Sequence, residues 1–130
     1  MSTRKPKILL IFPGKSSDNY LDISANLTAL THKSGGMLIL SLATVAALTP
    51  DEFDVKIVNE NIEDIDFEES CDIVGIGGFI SQYFRAKEIA TEFRKRGKLI
   101  VCGGSSTSLS PERYRPFSDV LIIGEAERIW

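Results

Sequence analysis

The stretch that most limits what this chain can become runs from Leu99 to Ser106. It reads Leu-Ile-Val-Cys-Gly-Gly-Ser-Ser. An apolar run with no polar alternation suits a strand buried on both faces of a parallel sheet. The two glycines then let the backbone turn sharply, or come close to a ligand, where the strand stops. The same order of buried strand, glycine-bearing loop and helix recurs along the chain.

Residues 7–12 predict the first strand, closed by Pro13-Gly14. A long polar segment follows at 15–36, a length that in compact domains often carries function. Residues 37–48 are apolar on nearly every side, which predicts a mostly buried helix with Ser34 or Gly35 at its start and Pro50 at its end. Residues 55–58 predict a second strand. The acidic stretch 59–69 reads as a solvated connection, with Ile62, Ile65 and Phe67 as anchors. Residues 73–76 predict the third strand. Ser81 is a candidate N-cap for the next helix, whose buried face would carry Ala86, Ile89, Ala90 and Phe93. Gly97 stops it. Residues 98–102 form the fourth predicted strand, Pro111 opens a short helix, and residues 120–123 form the fifth strand.

Five strands alternating with helices imply an α/β protein with a parallel sheet. In so short a chain the expected arrangement is a three-layer, flavodoxin-like fold of strand order 2-1-3-4-5. Only Glu125 to Trp130 follow the last strand, too little for a covering helix, so residues 1–130 are expected to be one domain cut from a longer protein.

The balance of charge narrows the partners. A net charge of −3 with no basic stripe argues against nucleic acid. The apolar run at 37–48 is too short to cross a membrane, and that at 8–12 too short for a signal-peptide core. The expected location is the cytoplasm. Cys71 and Cys102 are the only cysteines and lie in no cluster-binding spacing; both read as buried thiols.

In a parallel sheet all carboxyl ends share one edge, where ligands bind. That edge receives Pro13-Gly14, Gly77-Gly78, Gly103-Gly104 and Gly124-Glu125. Each pair alone is explained by a tight turn; all four favour a ligand laid across the edge. There is no GxGxxG after the first strand, no P-loop and no GxSxG elbow. The hydroxyls of Ser105, Ser106, Thr107 and Ser108 suit either a bound molecule or the capping of their own loop. His32, the single histidine, reads as a surface-loop residue.

The ordered set of motifs resembles the N-terminal cobalamin-binding domain of cobalamin-dependent radical SAM enzymes. The resemblance rests on KILLIFP at 7–13, GMLILSLATVA at 36–46, VKIVNE at 55–60, DIVGI at 72–76, RAKEIA at 85–90, RKRG at 94–97, VCGG at 101–104, SPE at 110–112 and DVLIIGEAE at 119–127. It implies cobalamin over the carboxyl edge in a form without a histidine ligand. The nucleotide tail would run near Gly77, Gly78, Phe79, Ile80, Ser81, Gly103, Gly104, Ser105 and Ser106, flanked by Gly124 and Glu125. It implies as partner a downstream radical SAM domain, of methyltransferase or cyclase type, carrying the 4Fe-4S cluster and S-adenosylmethionine. No residue of this chain is expected to be catalytic or to bind a metal. Gly77 and Ile80 stand where the family often has serine and threonine, and Asn59 where aspartate is usual. Two other readings remain open: a structural domain that has kept the fold without the ligand, and a flavin-binding module.

Overall fold

The computed structural model describes residues 4–14 and 40–130. The long polar segment, His32, Ser34 and Gly35 lie outside the described residues. Five strands form one sheet: β1 (Lys7–Phe12), β2 (Asp54–Asn59), β3 (Ile73–Ile76), β4 (Leu99–Cys102) and β5 (Val120–Leu121). Their order is β2-β1-β3-β4-β5 and every pairing is parallel. The expected fold is therefore the observed one. The order reverses between β1 and β3, the place where sheets of this type bind ligands.

Side chains of β1 alternate between two cores. Leu9 and Ile11 face one side, with Val74, Ile76, Ile100 and Cys102 from β3 and β4. Helix α2 (Tyr83–Lys95) covers this side with Ala86, Ile89, Ala90 and Phe93, all buried as the periodicity predicts. Tyr114 and Phe117 extend the cover towards β4. Ile8, Leu10 and Phe12 face the other side, against Leu42, Val45 and Ala46 of helix α1 (Leu40–Leu48) and against Trp130.

Several expectations need correcting. Helix α1 is one-sided rather than mostly buried: Leu42 is buried, but Ser41, Ala43, Ala47 and Leu48 are exposed. Its apolar composition misleads because only Leu42, Val45 and Ala46 are turned to the sheet. Ser81 does not cap α2. It lies inside a 3-10 turn (Ile80–Gln82) that runs straight into the helix. The Gln82 side chain instead accepts the Phe79 N–H (2.9 Å) and donates to the Pro13 carbonyl (2.6 Å). Ile65 and Phe67 anchor the acidic stretch to the first core, while Ile62 is 77% exposed. That stretch is also less solvated than its charge suggests. Glu69 pairs with Lys7 and Lys56, and Glu60 with Arg85. Residues 105–108 belong to a one-turn helix, α3 (Ser105–Leu109), followed by α4 (Pro111–Tyr114). β2 is one residue longer at each end than expected, and β5 is two residues shorter because the chain bends away towards Gly124.

Candidate functional site at the carboxyl ends of the sheet

One register row crosses the sheet at the level of Gly75. Ile57 pairs with Leu10, Leu10 with Gly75, Gly75 with Val101, and Val101 with Val120. Every member but Gly75 carries a branched side chain, so the glycine leaves a notch. Leu10 leans into it: a Cβ on Gly75 would lie 2.7 Å from Leu10 Cδ2. What remains above the notch is a cavity of about 300 Å³ on the α1 side of the sheet. That is the lower end of the roughly 300–1,000 Å³ usual for ligand pockets.

The inner walls are apolar. Leu10, Leu42, Val101 and Ile122 line the cavity and are each less than 9% exposed. Val45 and Trp130 close its sides. Trp130 is fixed by its indole N–H, which donates to Thr49 Oγ1 at 2.8 Å; that hydroxyl donates to the Val45 carbonyl at 2.7 Å. The final turn (Ala126–Arg128) is thereby tied to the end of α1. The polar side chains that line the cavity, those of Ser41, Ser105, Ser108, Glu125 and Glu127, lie where the lining is exposed or half-buried. The cavity thus has an apolar inner end and a polar mouth.

Of the residues singled out from sequence, Gly77, Gly103, Gly104, Ser105, Gly124 and Glu125 meet around this cavity. Gly104 has φ +103°, and a Cβ there would sit 3.3 Å from both the N and the O of Gly78. Its lack of a side chain thus lets two strand-end loops touch. Gly124 has φ +87°, with open space where its Cβ would be. Its N–H donates to Ser108 Oγ at 2.9 Å, which ties the loop after β5 to α3.

The others share the edge but not the cavity. Pro13 and Gly14 are held by Gln82 and Glu60, the Gly14 N–H donating to Glu60 Oε2 at 2.6 Å. A Cβ on Gly78 would meet Gln82 and Pro13. Phe79 stands edge-on to Phe12, with centroids 6.1 Å apart, and Ile80 is 61% exposed. Ser81 lies in the 3-10 turn. Ser106 is buried and bonded to the Tyr114 hydroxyl, on the α2 side. Thr107 donates to the Gly103 carbonyl at 3.3 Å, so its hydroxyl also serves the loop.

Sequence reading missed Leu10, Leu42, Val45, Ile122 and Trp130. Each looks like an ordinary core residue in sequence, and only the tertiary fold brings α1 to the last turn. It also missed the Glu60–Arg85 pair, which braces the ends of β1 and β2. Arg85 Nε lies 2.9 and 3.0 Å from the two Glu60 oxygens. Hydrogen bonds to Glu60, then to Glu88, raise the Arg85 pKa above its ordinary value despite partial burial. Burial pushes the Cys102 thiol up to about 11, so it stays protonated at neutral pH. Among the described residues no group of three or more His, Cys, Asp or Glu is placed to hold a metal ion.

Comparison with known proteins finds methyltransferases. The chain is 38% identical over 92 residues to a bacteriochlorophyllide d C-8(2)-methyltransferase of Chlorobaculum tepidum, which spans 70% of this chain and 20% of that protein. It is 34% identical over 91 residues to an uncharacterized methyltransferase of Synechocystis sp., spanning 68% of this chain and 17% of the relative. Over about 70% of its length, then, the chain is similar to methyltransferases. It spans about a fifth of the length of these relatives. No family model matches it. Among the described residues no helix is long and apolar enough to cross a membrane.

Proposed function

We propose that this chain is a cobalamin-binding domain working with the radical SAM catalytic domain of a methyltransferase-type enzyme. The observation that carries the reading is the cavity that opens at the carboxyl ends of β3 and β4, apolar inside and rimmed by bare backbone at Gly77, Gly104 and Gly124. The described residues fit a corrinoid's nucleotide tail. Gly75 removes a side chain from the cavity floor. Leu10, Val45, Val101 and Ile122 offer apolar surface to a flat aromatic base. Ser105 and Glu125 at the mouth offer hydrogen-bonding groups to its polar linker. Similarity to two methyltransferases supports the class of the parent enzyme. When bound, cobalamin supplies a carrier for the transferred methyl group.

The chain's own contribution is holding and excluding. The described residues of the lining offer clearance and apolar contact. Gly104, lying close against the Gly78 backbone, and the Gly124 N–H, bonded to Ser108 Oγ, tie the loops after β3, β4 and β5 together around the mouth. Trp130, anchored to Thr49, keeps water from one flank. To test the reading, the protein is mixed with hydroxocobalamin, free ligand is removed by gel filtration, and the visible spectrum is recorded. Retained corrin absorbance in the protein fraction is expected. Its absence at tens of micromolar protein would sink the reading.

A further inference from the structure

Resting on that reading, we infer that the cavity selects among corrinoids by their lower base, accepting a benzimidazole and disfavouring a purine. Leu10, Leu42, Val101 and Ile122 form the inner end, and each is less than 9% exposed. None of these side chains has a hydrogen-bonding atom. The polar side chains of the lining, those of Ser41, Ser105, Ser108, Glu125 and Glu127, lie where it is exposed or half-buried. Ser108 is further engaged, its oxygen already accepting the Gly124 N–H at 2.9 Å.

A dimethylbenzimidazole carries methyl groups on the edge remote from its glycosidic nitrogen. That edge has nothing to satisfy and gains from apolar contact. An adenine base of similar size carries an exocyclic amine and ring nitrogens on its corresponding edges. Buried against Val101 and Ile122, these would lose water without gaining a side-chain partner among the described residues of the inner end. The expected discrimination is about tenfold or more in Kd.

The test compares three probes on the same 130-residue protein by spectral titration: hydroxocobalamin, the analogue with adenine as lower base, and cobinamide, which has no nucleotide tail. The expected order is hydroxocobalamin tightest, the adenine analogue about tenfold or more weaker, and cobinamide weaker than hydroxocobalamin. Equal affinity for the two tailed corrinoids, with cobinamide behind both, overturns the selectivity and leaves the tail site standing. Equal affinity for all three overturns it as well, because the tail then gains nothing from the cavity. Retention of none of them is the failure of the cobalamin reading itself, and the selectivity falls with it. The Val101→Thr variant provides a second reading. It keeps the branched shape and places a hydroxyl in the cavity wall, so the gap between the tailed corrinoids should narrow severalfold; an unchanged gap counts against Val101 as a selecting wall.

Discussion

The two faces of the sheet are built from the same strands and end up unlike. The α2 face is closed. Leu9, Val74, Ile89, Phe93 and Ile100 are fully shielded, and Tyr83, Tyr114 and Phe117 pack their rings 5.2–6.0 Å apart along its margin. On the α1 face, among the described residues, Leu42, Val45 and Ala46 pack against β1 and β2. Towards β4 and β5 this face carries the cavity, and beyond that Leu99 and Val120 are 43% and 45% exposed. One face spends its apolar surface on packing, while the other leaves room for a ligand. Among the described residues the difference comes down to Gly75, in place of a branched side chain, and to the space left between α1, Val101 and Ile122.

The comparison breaks most sharply at Phe93. Phe93→Ala on the closed face should cost about 3–5 kcal/mol. Val101→Ala on the open face, where a void already exists, should cost about 1–2 kcal/mol. Urea denaturation of both variants checks this, and equal losses would mean the cavity wall is as tightly packed as the core.

The loops come next. Gly104→Ala forces a Cβ against the Gly78 backbone at a positive φ and should cost about 2–3 kcal/mol. Gly124→Ala, at φ +87° but in open space, should cost about 1 kcal/mol. A thermal melt of each separates strain that comes with collision from strain that comes alone.

Smaller effects belong to the opposite edge of the sheet. The Lys7 N–H, bonded to Asp72 at 2.8 Å, and the nearby Arg4 hold the Asp72 carboxyl below the usual range. Burial pushes Glu69 up, but Lys56 and Lys7 outweigh it and leave it low. A depressed carboxyl contributes stability that is fully present above its unfolded value, about 4, and is lost as pH falls through the folded value. Stability should therefore fall on acidification below about pH 4, and Asp72→Asn should flatten that limb. Urea midpoints taken across the acid range check it. Corrinoid binding at the far edge should keep its neutral-pH affinity in the same variant.

Much of this was legible in the chain. The runs at 7–12, 73–76 and 99–102 give themselves away because strands buried on both faces need no alternation. The α2 face follows from the spacing of Ala86, Ile89, Ala90 and Phe93. The candidate site was only half legible. Gly77, Gly103, Gly104 and Gly124 mark the rim because glycine is costly without a reason. The walls leave no mark, since a leucine beside a void and a leucine in a core are the same letter. Ser106 shows the converse: a hydroxyl at a strand end looks like a ligand group until its helix turn points it at Tyr114. Gln82 escaped notice because a side chain that bridges two loops has no local pattern.

The central claim is that the open face exists to hold a corrinoid's tail. Val45 lines the cavity from α1 and is only partly buried, so Val45→Trp fills the space with little demand on the closed core. Hydroxocobalamin titrated into wild type and Val45→Trp, with circular dichroism and thermal melts to confirm equal folding, tests the claim directly. A folded variant that has lost corrinoid affinity by about tenfold or more is the predicted result. A folded variant that binds as tightly as wild type would contradict it.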